Sequence, residues 1–193
     1  MSKNTKIALI VVGILALICA IACAVVGISG YFAAQQVGTS LITNPAQADE
    51  KGHTIVDYQI PSDFTEASGM SLLGMDMVMY MDPKGGMGIF IMQMPAGTDV
   101  DPDAMQQQLQ SSASSQNTQL ENVEQVGTQD VTINGETVTL IIQEGTTETD
   151  NVKTRQMIGV FTGKNGNPAF LMIMGPVKSW DNEMIDSFLD SMK

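Results

Sequence analysis

The chain has 193 residues, of which 44% are hydrophobic, 16% charged and 5% aromatic, a balance too apolar for disorder and sufficient for one globular unit. Nine Lys+Arg stand against 21 Asp+Glu for a formal charge of −12, and a surface of that sign repels phosphate backbones, which excludes nucleic acid as a partner. Two cysteines and one histidine exclude the Cys/His zinc spacings and leave almost no material for a Cys/His or Ser/His/Asp catalytic centre.

Residues 1–6 carry Lys3 and Lys6, and from Ile7 to Ala34 no charged residue occurs. As a helix this run would reach roughly 42 Å, beyond the hydrocarbon core of about 30 Å, so it can span a membrane with tilt. A cleavable signal normally has an apolar stretch of about 7 to 15 residues, far shorter than this one. The small-x-small site Ala46-Gln47-Ala48 lies well past the apolar run, and Ala20-Ile21-Ala22 before Cys23 lies inside it. Residues 7–34 are therefore read as an uncleaved signal anchor, with cleavage and a lipidated Cys23 as the alternatives. Lys3 and Lys6 precede the span and the first charges after it are Asp49 and Glu50. The positive-inside rule then gives a single-pass protein of the cytoplasmic membrane, N-terminus inside and the C-terminal domain extracytoplasmic. Cys19 and Cys23 both fall within the span, so the external domain is expected to have no disulfide of its own. Ala16, Ala20 and Ala24 form a small-residue stripe suited to close helix approach, hence to self-association, beside the plainer reading of an anchor.

Residues 35–52, with Gly38, Ser40, Asn44 and Pro45 and little periodicity, read as a flexible linker, and residues 53–193 as the extracytoplasmic domain. Thr54–Ile60 is the first expected strand, stopped by Pro61. Met75–Asp82 alternates strictly, with Met75, Met77, Met79 and Met81 on one face, which predicts a strand. Asp82-Pro83-Lys84-Gly85-Gly86 predicts a hairpin turn into Met87–Met94, a nearly continuous apolar run expected to be covered on both faces. Asp101-Pro102-Asp103 then has the signature of a helix start, carried through Leu109 into a polar loop over Ser111–Asn117. Asn122–Ile133 and Glu136–Glu144 flank Asn134-Gly135, a strong hairpin signal. Thr154–Thr162 and Pro168–Met174 pair around Gly163–Asn167. Ser179 is expected to cap a closing helix whose Met184, Ile185, Phe188, Leu189 and Met192 form one apolar stripe.

The order strand, hairpin, helix, hairpin, hairpin, helix makes the domain α+β, an antiparallel sheet covered by helices. Tyr58-Gln59-Ile60-Pro61-Ser62-Asp63-Phe64, the Val131–Glu136 hairpin, the Phe170–Ile173 strand and the closing helix with Ser187-Phe188 resemble, in order and motif, PsbP-like domains. The resemblance covers about residues 53–193, with Asp63-Phe64 in place of the family's usual Gly-Trp. It implies an α/β/α sandwich and a non-catalytic role, since that family includes extrinsic photosystem subunits and bacterial membrane-attached domains. It implies no catalytic residues.

Among candidate sites, the 15 methionines stand out. Soft thioethers select Cu(I), and Met75, Met77, Met79 and Met92 are the candidate ligands. The competing and preferred reading is that unbranched Met fills an irregular core, the Met face being simply the packed face. Asp99, Asp101 and Asp103 open like a calcium loop, but Ala104 and Gln110 occupy the positions where Gly and Glu are needed, so they are read as helix-capping residues. Gly163-Lys164-Asn165-Gly166 reads as a turn and His53 as a solvated linker residue. No cofactor or metal is expected. The preferred function is a membrane-anchored, non-catalytic interaction or accessory domain with an envelope protein partner. A small-molecule or Cu(I)-binding module and an extracytoplasmic enzyme are the alternatives.

Overall fold

The computed structural model describes residues 39–98, 104–105, 120–147 and 150–193. The readings placed on residues 7–34, on the Ala16, Ala20 and Ala24 stripe, on Asp99, Asp101 and Asp103, and on most of the expected helix through Leu109 lie outside the described residues. Among the described residues no helix is long and apolar enough to cross a membrane.

In chain order the elements are β1 (Thr39–Ile42), α1 (Pro45–His53), β2 (Glu66–Leu72), β3 (Met75–Asp82), β4 (Met87–Gln93), β5 (Leu120–Ile133), β6 (Glu136–Thr147), β7 (Lys153–Thr162), β8 (Pro168–Pro176), a 3₁₀ turn (Val177–Ser179) and α2 (Asn182–Asp190). The strands form one open sheet in the order β1-β2-β3-β4-β8-β7-β6-β5, antiparallel throughout. The fold is thus α+β with an antiparallel sheet. Its longest edge, β5, carries Glu121, Glu124 and Asp130 and is bulged between Glu121 and Glu124 and between Gln125 and Gly127, features that discourage pairing with another edge.

Three expectations need correction. The flexible linker is, from Thr39 on, a strand paired to β2 and a helix. Asn44 caps α1 by accepting from the Ala46 and Gln47 N–H groups, and Pro45 starts the helix, so the Asn-Pro pair is a helix start instead of loop punctuation. Thr54–Ile60 joins no ladder: Thr54, in the right-handed helical region, and Ile55 turn out of α1, and the residues after them run alongside other elements. Its Ile55 and Val56 N–H groups donate to the Gly52 carbonyl, its Ile55 carbonyl accepts from Lys164 N–H, and Asp57 exchanges both backbone hydrogen bonds with Lys193. A helix end, a turn and the last residue thus satisfy groups that a sheet would otherwise satisfy. Finally, α2 is capped by Asp181, which accepts from Met184 N–H, because Ser179 is taken up in the 3₁₀ turn.

Strand β2 was not expected, since Glu66-Ala-Ser-Gly-Met-Ser-Leu72 is poor in β-formers. All of it pairs in register with Met75–Met81 of β3 through a two-residue turn in which Leu73 and Gly74 both have positive φ, 52° and 81°. Leucine there is unusual.

The core lies on one face of the sheet. Val78, Tyr80, Ile89, Ile91, Leu171 and Ile173 meet Ile55, Tyr58 and Phe64 of the extended segment and Ile185, Phe188 and Leu189 of α2. Helix α1 packs on β2 and β3, and α2 on β5. Both α1 and α2 therefore lie on the Val78 face; the further helix expected through Leu109 lies outside the described residues except for helical Ala104 and Met105.

Candidate functional site

Side chains alternate along a strand. Val78 and Tyr80 commit one face of β3 to the core and put Met75, Met77, Met79 and Met81 on the other. Register extends that second face across the sheet: Met70, Met77, Met92, Phe170 and Val160 stand in one row, Ser68, Met79, Phe90, Met172 and Ile158 in the next, and Glu66, Met81, Gly88, Met174 and Gln156 in a third. Direct cross-strand neighbours have Cβ atoms about 4.5–5.5 Å apart, so adjacent methionine side chains are within reach of one another.

The methionines of β3 stand on the face opposite the Val78 core, whereas Met87, Met157 and Met192 do fill that core, as expected of methionine. Met70, Met77, Met79, Met81, Met172 and Met174 are partly exposed, as are Phe90 and Ile158, while the core on the other face is filled mainly by Val, Ile, Leu and aromatic side chains. The methionine face closes over at both ends, where Met92 and Val160 of the first row are 8% and 6% exposed and Gln156 of the third is 8% exposed. Gly88 leaves a gap in the third row that Met81 and Phe90 fill: a Cβ on Gly88 would meet Met81 Sδ at 3.0 Å and Phe90 Cε2 at 2.8 Å.

Of the four methionines singled out, Met77 and Met92 are direct cross-strand partners, Met79 faces Phe90 and Ser68, and Met75 faces Leu72. All four share the face. Met70 was missed as their companion because β2 was missed, and only β2's register with β3 reveals it.

His53 is not a solvated linker residue. It ends α1, its ring stacks on Tyr58 with centroids 4.6 Å apart, and its nitrogens lie 3.6 Å from Asp49 and 3.6 Å from Asp57. Beside it, Tyr58 and Tyr80 share a hydrogen bond, and Tyr80 Oη donates to Asp49 Oδ1 at 3.0 Å. Burial pushes both phenols well above the ordinary tyrosine range, so each stays protonated and acts as a hydrogen-bonding post. Asp57 is held below the usual carboxylate range by its hydrogen bond from Lys164. Gly163–Asn167 is the turn it was expected to be, closed by Gly163 N–H to the Asn167 carbonyl.

Shallow polar clefts also open on the surface of the described residues. One, of about 290 Å³, is lined by Asn122, Glu124, Glu144, Asn151 and Lys153. There Glu144 Oε1 accepts from Arg155 Nε and Nη2 at 2.9 and 2.6 Å, and Oε2 lies 2.6 Å from Lys153 Nζ. Hydrogen bonds from Lys153 and Arg155 lower the Glu144 pKa, so the group is a neutralised structural anion, with none of the raised affinity for a proton that an acid catalyst needs. Another cleft, of about 370 Å³, lies between the extended segment and α2, around Gln59, Ser187 and Asp190. Among the described residues no three His, Cys, Asp or Glu side chains are placed to hold a metal ion.

No family model matches the chain, and no curated protein matches it. A solved structure of a Pseudomonas aeruginosa protein of unknown function aligns with 76% of this chain and 74% of its own length at 11% identity, TM-score 0.35. The solution structure of the cyanobacterial PsbP protein of Synechocystis aligns with 72% of this chain and 92% of its own at 13% identity, TM-score 0.40. The chain is similar to both in the outline of its antiparallel α+β fold, at a distance that carries no residue or role across.

Proposed function

We propose that this protein is a membrane-tethered, non-catalytic accessory domain: residues 7–34 hold it in the cytoplasmic membrane, N-terminus inside, and the sheet outside docks an apolar segment of an envelope protein. The observation that supports this most is the division of labour between the two sheet faces. One is sealed by α1, the extended segment and α2, and the other presents Met79, Phe90, Met172 and Ile158 in a partly exposed row. An apolar surface of this kind marks an interaction site, and flexible thioethers adapt to a partner's shape. A protein occupant is favoured over the lipid surface because all 21 acidic residues follow the apolar run and an anionic membrane repels them.

Photo-crosslinking with the full chain in its own membranes tests this. A photoreactive side chain at Met79 or at Met172 is expected to capture the same envelope protein through an apolar segment, and one at exposed Glu136 is expected to capture nothing. No adduct, or an adduct with a second copy or with residues 99–119 of the same chain, overturns the docking assignment. External protease on intact spheroplasts is expected to digest the chain beyond about Gln35 and spare the Lys3 end; a released form beginning at Cys23 or Asp49 would overturn the anchor.

A further inference from the structure

Methionines project from both faces of the sheet, Met87 of β4 and Met157 of β7 into the core, but in β3 and β8 every one projects from the face opposite the core, and in β2 and β4 Met70 and Met92 join them. The row at one end brings three together without interruption: Met70 of β2, Met77 of β3 and Met92 of β4 are consecutive cross-strand neighbours. Beyond them the row continues with Phe170 and Val160, so it contains no carboxylate, imidazole or amide side chain.

We propose that Met70, Met77 and Met92 form a binding site for a soft monovalent cation of the Cu(I) or Ag(I) class. Neutral thioethers are soft donors that discriminate against the hard divalent ions preferred by oxygen ligands. They carry no proton at any pH, so they bind without a competing protonation, unlike thiolates and imidazoles. Three donors with Cβ atoms about 5 Å from one to the next, on flexible unbranched stems, can converge on one ion. Met92 is buried while Met70 and Met77 are partly exposed, which gives an entry side and an apolar floor. The low charge of the ion suits that floor, since burying a divalent charge with no anionic ligand is prohibitive. Met75 and Met79, two residues either side of Met77 on the same face, are reserve ligands for entry and exit and not members of the set. The proposal does not rest on the docking reading, whose row runs through Met79 and Met172.

The experiment is an anaerobic Cu(I) titration of the full chain in detergent with ascorbate, competed against bicinchoninate. It is run in a Cys19→Ser, Cys23→Ser background so that no thiolate takes the ion. One Cu(I) per chain is expected, weakened about tenfold or more by Met77→Leu, as losing a ligand demands, and unchanged by Met192→Leu, which alters a methionine of the opposite, core face. Leucine is close in volume to methionine, and equal melting of the two variants shows that packing is kept. X-ray absorption of the copper-loaded parent chain is expected to show sulfur scatterers alone, an observation that needs no variant to fold. Failure to compete for Cu(I), equal affinity in Met77→Leu, or nitrogen and oxygen scatterers each overturns the site. None of these outcomes bears on the crosslinks from Met172, which are read in metal-free membranes.

Discussion

The hydroxyl of Tyr58 meets that of Tyr80 directly beneath Gly52. Because the Tyr80 proton goes to Asp49, Tyr58 is the donor to Tyr80, and the chain Tyr58, Tyr80, Asp49 joins the extended segment, strand β3 and helix α1 in one directed series. The Phe188 ring lies edge-on to Tyr58, 6.1 Å away, so α2 meets the same post. A buried relay of this kind is stable only when each member has its partner.

Gly52 is the residue that makes room for it. In an ordinary helix position alanine is favoured over glycine by about 1 kcal/mol, but here a Cβ would stand 1.7 Å from Tyr58 Oη and 2.9 Å from Cζ. Gly52→Ala is therefore expected to destabilise the domain by about 1–3 kcal/mol, the range for overpacking a filled core. Urea denaturation measures it, and a midpoint at or above the parent's would show that the tyrosine pair moves aside at no cost.

The Glu144 carboxylate, with Arg155 on one oxygen and Lys153 on the other, gives a pH-dependent prediction. Its pKa in the folded chain is lowered, so its contribution is complete above the unfolded value of about 4.3 and is lost as pH falls through the lower folded value. Glu144→Gln is expected to cost about 1–3 kcal/mol near neutrality, as for hydrogen bonds to a charged group. The gap between parent and variant is expected to narrow steadily below about pH 4. Denaturation midpoints at a series of pH values check this; a gap that holds constant into acid would assign the loss to packing.

Phe188 is 2% exposed at the centre of the α2 contact. Phe188→Ala is expected to cost about 3–5 kcal/mol, the range for emptying a buried phenylalanine site. Asp186 is exposed and accepts one hydrogen bond from Gln129 Nε2 at 2.9 Å, so Asp186→Ala is expected to cost under about 1 kcal/mol. Equal midpoints for the two variants would mean that α2 is peripheral to the core.

What the sequence disclosed follows from how local each signal was. Met75–Asp82 is read with its observed bounds because strict alternation and the Asp82–Gly86 turn both lie within a few residues, and Asp82 accepts from Lys84 and Gly85 N–H as a turn residue does. Asn134 and Gly135, with φ of 50° and 79°, form the hairpin that the pair advertises. β2 was hidden because Ser68, Gly69 and Ser71 carry no strand signal and its turn uses Leu73. α1 was hidden because its buried positions are only Ala48 and Gly52, too small to register as an apolar stripe. The methionine face was misassigned for a different reason: alternation shows which residues share a face, and only tertiary packing decides which face is inside. Met70 could enter the candidate set only through a strand that sequence did not reveal.

Among the described strands seven ladders hold the sheet, and six of them join strands consecutive in the chain; β4 with β8 alone does not. The sheet is thus two meanders, β2 to β4 and β5 to β8, that can each assemble through short-range turns at small entropic cost, with β1 added to the first across α1 and the extended segment. Their seam, Gly88–Gln93 against Ala169–Met174, closes the longest loop of any ladder and brings the core residues Ile89 and Ile91 against Ile173 and Leu171. Pairings distant in sequence slow folding, so the speed at which this domain is made depends on how readily two partly formed halves find each other along that seam.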